Sequence, residues 1–232
     1  MILSKDYSTS TAILLFAQSE KVESVSKPIV CQKKQNSLLW KKMNEKVLQT
    51  IQKTYIPYFI SDENTQIGNT FGEKITHSIQ TIFNKGFEKV IVIGNDCLEL
   101  QAKHLLDTSH KLQKNDAVLG ADFNGGAYLI GVSKSSFNAN EFATIAWQTR
   151  FVFDELKQLF GEIKTAFTPS LNDCNSAFDF KKAVHKLSFS DSFKNVILSL
   201  LQNKTVVPDY ETSFLSYEFD FLDFNKGSPF SF

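Results

Sequence analysis

The chain has 232 residues, 42% of them apolar, which is enough for a sizeable core in one α/β domain or one domain plus an appendage. Its 25 basic and 25 acidic residues cancel, so no overall charge draws it to a nucleic-acid backbone or an anionic membrane. The three cysteines, Cys31, Cys97 and Cys174, show no CxxC spacing; this suggests reduced thiols and a cytoplasmic setting.

Thr11 to Ala17 is a short apolar run. It falls well below the roughly 18 to 20 residues of a membrane span and reads as a buried central strand. Gln18 to Ser37 is polar, holds Pro28 and reads as a loop, with Asn36 or Ser37 available to cap a helix. Leu39, Met43, Val47 and Ile51 then recur at i+4 and form one apolar stripe. Tyr58 to Ile60 is a short second strand. Thr70-Phe71-Gly72-Glu73 has the form of a capping box. The helix that follows carries Phe71, Ile75, Ile79, Ile82 and Phe83 on one face and ends at Gly86.

Val90 to Ile93 is the most strand-like run in the chain. Leu100 to Leu112 reads as a helix, and Ala117–Leu119 and Ala127–Val132 as strands joined by Asn124-Gly125-Gly126. Val152–Phe160, Phe178–Leu187 and Phe193–Leu201 are further helices. This alternation predicts a three-layer α/β/α sandwich around a mainly parallel, mixed sheet. In such sheets ligands bind beyond the carboxyl ends of the strands.

Four constellations carry candidate chemistry. In Gly94-Asn95-Asp96-Cys97, Gly94 permits a tight turn or a close ligand. Asp96 at the strand end suits Mg²⁺ or Mn²⁺ bridging to phosphate, or else caps the next helix, with Glu99 completing a capping box. Asn124, Gly125 and Gly126 suit a hairpin turn, or a loop that admits sugar or phosphate. Capping accounts for Thr70 and Glu73 but leaves Gln66 and Gly68 unexplained. Asp173, near Asn175 and Asp179, is a second metal-binding carboxylate or part of a loop leading into a helix. His77, His104, His110 and His185 show no metal-ligand spacing.

These pieces together resemble a bacterial family of glycosyltransferase-A-like proteins, catalogued as domain of unknown function 2064. The resemblance rests on five segments in order, over roughly residues 11 to 186. They are Gln66-Ile67-Gly68 with Gly72-Glu73; Ile93 to Cys97; Asp116 to Gly120 with Asn124 to Gly131; Ile145-Ala146-Trp147-Gln148-Thr149; and Asp173-Cys174-Asn175 with Asp179. It implies a nucleotide-diphospho-sugar-transferase fold and a divalent metal, Mg or Mn, with Asp96 as metal-binding aspartate and Asp173 as second catalytic carboxylate. Gln66, Gly94, Asn124, Gly125, Gly126 and Trp147 would then line the place for a nucleotide or nucleotide-sugar. The chain departs from the family pattern in five places. It lacks the family's basic K-T-R-L segment after the first strand, although Lys21, Lys27, Lys33 and Lys34 are scattered there. Asn124 and Asn175 replace aspartates, Ala127 a tyrosine and Leu98 a proline. Asp122, two residues before Asn124, is a candidate substitute carboxylate.

The expected function is that of a metal-dependent glycosyl- or nucleotidyltransferase. The alternative is a non-catalytic binding or interaction protein on the same fold. Residues 1 to 203 form the expected domain. Residues 204 to 232 form an aromatic extension in which Tyr217 to Phe221 alternates aromatic and acidic side chains. That alternation suits a strand packing on its own domain or on a second subunit of a homodimer.

Overall fold

Thr11–Phe16 (β1) is buried at every position, because a continuous apolar run has no polar face to offer water. Tyr58–Ser61 (β2) and Lys89–Ile93 (β3) flank it, both parallel to it. In the computed structural model, which describes residues 11–187 and 192–201, Ala117–Asp122 (β4), Ala127–Ser133 (β5) and Thr165–Leu171 (β6) complete a six-stranded sheet. The strand order is β2-β1-β3-β5-β4-β6. β5 runs antiparallel to both neighbours, so the sheet is mixed. The expected aromatic extension lies outside the described residues.

Side chains alternate across the strands and feed two cores. One face carries Ala12, Leu14, Val90, Val92, Leu119 and Ile130. It is covered by Phe71–Asn84 (labelled α3), Ala139–Thr144 (α5) and Val152–Leu159 (α6). The opposite face, with Ile13, Leu15, Ile91, Ile93 and Leu129, meets Val47 and Ile51 of Lys33–Gln52 (α2) and Leu105 of Ala102–Lys111 (α4). α2 has a second apolar stripe, Leu39, Trp40 and Met43. It packs on Phe180, Ala183 and Val184 of Ala177–Lys186 (α7) and on Ile197 and Leu200 of Ser192–Leu201 (α8). One helix therefore ties the sheet to a third, outer core.

Three elements differ from the sequence reading. The polar stretch 18–37 is not all loop, since it holds Glu20–Ser26 (α1) and the first turns of α2. α1 escaped the pattern because Glu23 is its buried residue and it has no apolar stripe. Asn36 does not cap α2, which starts beyond Gln32 with no side-chain cap bond. Asn36 is itself buried and serves as a hub. Its Oδ1 accepts from the amides of Ile29 and Val30, 3.0 Å each, and its Nδ2 donates to Ser24 O at 2.7 Å and Lys27 O at 3.1 Å. β6 was missed because it is an edge strand with an irregular burial pattern.

Candidate active site

β3 ends at Ile93, and the next three residues make the first wall of a cavity. A Cβ at Gly94 would lie 2.8 Å from Asp96 Oδ1, so the absence of a side chain there leaves room for the carboxylate. Asn95 is buried and donates to Asn44 Oδ1 at 2.8 Å, which fastens the turn to α2. Asp96 does not cap α4. That helix begins at Ala102, with Gln101 as N-cap in a reciprocal pair with His104. Glu99 completes no capping box, because it accepts from Asn172 and pairs with Lys186 at 3.2 Å. The capping alternative for Asp96 is thus removed, and its carboxylate faces the cavity.

The second wall follows β6. Cys174 donates its amide to Asp96 O at 3.0 Å, which draws the Asp173 loop onto the β3 end. Ser176 caps α7 by accepting from Asp179 N at 3.2 Å. Asp173 Oδ1 is shielded from water and has no hydrogen-bond partner among the described residues. Burial raises the Asp173 carboxyl well above the usual range, and the Asp96 and Asp122 charges add to the effect. Its side chain meets that of Asp96. Two carboxylates in contact offer no donor between them, so they need a shared proton or a cation.

The third wall is the β4–β5 turn. A bulge around Gly120 to Asp122 shifts the register of β4, and bulges re-aim side chains. Asp122 Oδ1 accepts from Asn124 N at 2.6 Å and Gly126 N at 2.8 Å. A Cβ on Gly126 would come within 2.6 Å of Asp122 Oδ2. Gly125 sits at φ +89°, and a Cβ there would lie 2.1 Å from Arg150 O. Its own carbonyl accepts from Phe153 N at 3.0 Å. Gly125 therefore seats the hairpin against the segment leading into α6.

The fourth wall precedes α3. Thr70 and Glu73 form the reciprocal capping box, and Glu73 also accepts from Asn69 N at 2.6 Å. Gln66 Nε2 donates to Ser61 O at 3.1 Å, tying its loop to β2. Trp147 Nε1 donates to Phe142 O at 3.0 Å, and its ring leans on Phe71 with centroids 5.4 Å apart.

The open cavity between these walls is about 820 Å³. Asp96, Asp173, Gln66, Gly94, Asn124, Gly126 and Trp147 all line it. Gly125 is the exception among the expected residues and acts through the turn. Asp122, Glu23, Lys27, Lys74 and Arg150 line it as well. Sequence reasoning gave Glu23 and Lys27 no role, and their only local signal is charge within a polar stretch. Lys27 Nζ is 2.7 Å from Asp96 Oδ2, 4.0 Å from Glu23 Oε2 and 5.5 Å from the Trp40 ring centroid. Burial disfavours its charge, yet the carboxylates of Asp96 and Glu23 outweigh that and hold its pKa above the usual lysine value. Burial, helped by Asp96 and opposed by Lys27, raises Glu23. Burial likewise pushes the thiols of Cys97 and Cys174 upward, which keeps them protonated and poor ligands.

No group of three or more His, Cys, Asp or Glu side chains with metal-binding geometry occurs among the described residues. Mg²⁺ and its analogues commonly take one or two protein carboxylates and complete their shell with water and substrate phosphate. Asp96 with Asp173, whose Oδ1 lacks a donor, fits that type of site.

Residues 60–149 match the family described as "Uncharacterized protein conserved in bacteria (DUF2064)". That segment includes Gln66, Asp96, the Asn124 turn and Trp147, but neither Lys27 nor Asp173. No curated protein matches the chain in sequence. The chain is similar in fold to a protein of Desulfovibrio desulfuricans G20 that is provisionally named a nucleotide-diphospho-sugar transferase. The TM-score is 0.75 at 21% identity, over 83% of this chain and 97% of that one. Two mycobacterial structures are less similar. The Rv0371c homologue of Mycobacterium sp. strain JC1 has a TM-score of 0.46 at 11% identity, over 83% of this chain and 98% of that one. Rv0371c of Mycobacterium tuberculosis H37Rv, in complex with manganese, has 0.47 at 6%, over 76% and 99%. At such identities the likeness concerns the fold and not the chemistry. Residues 60–149 are thus similar to the DUF2064 family, and the described residues have a fold of the nucleotide-diphospho-sugar-transferase type.

Proposed function

We propose that the chain is a glycosyl- or nucleotidyltransferase-like protein that binds a nucleotide or nucleotide-sugar together with Mg²⁺ or Mn²⁺ in this cavity. The observation that carries the reading is the meeting of Asp96 and Asp173 at two strand ends, with Asp173 Oδ1 left without a partner. Ligands in α/β sheets sit at those ends. Asp96 and Asp173 would hold the cation, which when bound neutralises the diphosphate of a departing leaving group. Trp147 and Phe71 supply an aromatic wall suited to a base or a sugar face. The amides of Asn124 and Gly126 are committed to Asp122, so the hairpin contributes shape and the Asn124 side chain.

The test is thermal stability against nucleoside di- and triphosphates and their sugar conjugates, with and without Mn²⁺. A ligand at a hundred times its dissociation constant stabilises by about 2.7 kcal/mol. A Mn²⁺-dependent rise with one base supports the reading and names the donor. No rise with any nucleotide, in a protein that melts cooperatively, overturns it.

One observation favours a second reading. Lys27 already pairs with Asp96 at 2.7 Å, and Asn124 and Asn175 bring no charge. A non-catalytic binding protein would then hold a nucleotide without turnover, and the discriminating result is saturable binding with no product.

A further inference from the structure

The ammonium of Lys27 supplies at Asp96 what a metal ion would supply, a positive charge 2.7 Å from a carboxylate oxygen. Most surface lysines gain little from such a contact because they lose freedom in making it. Lys27 is held in advance. Its amide donates to Glu23 O at 2.8 Å. Its carbonyl accepts from Trp40 Nε1 and from Asn36 Nδ2, 3.1 Å each. Its ammonium lies over the Trp40 ring, and Trp40 is fully buried. The backbone of Lys27 is thus fixed by α1, α2 and Trp40 of the outer core, and its ammonium lies between the Trp40 ring and Asp96.

A divalent cation reaching Asp96 must displace this ammonium from its 2.7 Å contact and leave Glu23, at 4.0 Å, as its remaining ion pair among the described residues. A ligand bearing phosphate removes that penalty, because the ammonium gains a second anion to face. The geometry points to Lys27 as an internal counterion that occupies the cation's place at Asp96, so that a divalent cation is held tightly only together with a phosphate-bearing ligand. The inference rests on the metal–nucleotide reading of the cavity. By linkage, the cation then favours the phosphate ligand as much as the ligand favours the cation.

The experiment is Mn²⁺ binding to the full chain without nucleotide, followed by the paramagnetic signal of the free ion, for wild type, Lys27→Met and Lys27→Arg. Methionine keeps an unbranched stem against Trp40 and removes the charge, whereas arginine keeps the charge. Lys27→Met is expected to bind Mn²⁺ about tenfold tighter than wild type, within the usual range of coupling between sites. Lys27→Arg is expected to stay close to wild type, and adding Asp96→Asn to Lys27→Met abolishes the gain. Should Lys27→Met fail to melt cooperatively, Lys27→Gln takes its place. Equal Mn²⁺ affinity in wild type and the neutral variant overturns the inference. If Mn²⁺ still promotes nucleotide binding to wild type, the inference falls alone. If Mn²⁺ affects no nucleotide, the functional reading falls with it.

Discussion

Asp96 and Asp173 reach the same cavity from the ends of β3 and β6, yet they stand in opposite electrostatic conditions. Asp96 has a cation 2.7 Å away, held by a buried tryptophan and two helices. Asp173 Oδ1 is closed off from water and lacks a donor among the described residues, and the charges of Asp96 and Asp122 act on the carboxyl more strongly than that of Lys27. A cation beside a carboxylate offsets the cost of its burial, whereas a buried unpaired carboxylate works against the fold and favours whatever cation or proton arrives. The contrast separates a carboxylate whose charge the fold balances from one whose burial it leaves uncompensated. Four substitutions test it.

The largest effect is expected from Trp40→Ala. Trp40 is fully buried, packs edge-on against Phe180, and supports Lys27 from below. Removing an aromatic side chain of this kind costs about 3–5 kcal/mol, which denaturant melts would read directly. A loss below about 1 kcal/mol would show that the outer core does not hold the Asp96 side in place.

Asp96→Asn comes next. It should remove the Mn²⁺-dependent part of nucleotide stabilisation, up to about 2.7 kcal/mol at a hundredfold excess over the dissociation constant. The far-ultraviolet circular dichroism should stay unchanged. If the variant binds metal and nucleotide as tightly as wild type, the site lies elsewhere.

Asp173→Asn should act in the other direction and stabilise the metal-free protein at neutral pH, on the order of 1 kcal/mol, the scale seen when a strained functional group is relieved. The sign with pH follows from its raised carboxyl. A group held higher in the folded state than its ordinary value near 3.9 contributes stability below that value, and loses it as pH rises through the folded value. The advantage of the variant should therefore be small in acid and grow as pH rises above about 4. Melting temperatures of both proteins in chelator, compared across pH, decide it, and an advantage that shrinks with rising pH contradicts the assignment.

The smallest change is Thr70→Ala, which removes the side-chain oxygen that accepts from Glu73 N at 3.1 Å. A loss of about 1 kcal/mol is usual for such caps. Because the cap lies beside Asn69 and Gln66 rather than on either carboxylate, Mn²⁺ affinity should not move. A change in Mn²⁺ binding by titration would mean that the Gln66 wall and the carboxylate pair are one unit.

Much of this architecture is legible in the residues themselves, for local reasons. The apolar runs at 12–17 and 90–93 suit a strand covered on both faces. Thr70 and Glu73 close a capping box within four residues, and Gly86 at φ +97° accepts the turn that ends α3. The Asn124-Gly125-Gly126 turn is equally local, since Gly125 needs a left-handed backbone and Gly126 must leave room for Asp122. Asp96 could be singled out as a strand-end carboxylate, though spacing alone left its capping role open. Tertiary packing decided the rest. α4 takes Gln101 as its cap and frees Asp96. An amide from Cys174 brings Asp173 against it. Lys27, 69 residues away in the chain, arrives through a helix that has no apolar stripe to betray it. Periodicity and capping report what a residue does with its near neighbours. Which charge meets which depends on how helices and strand ends are stacked, and that is set by the whole core at once.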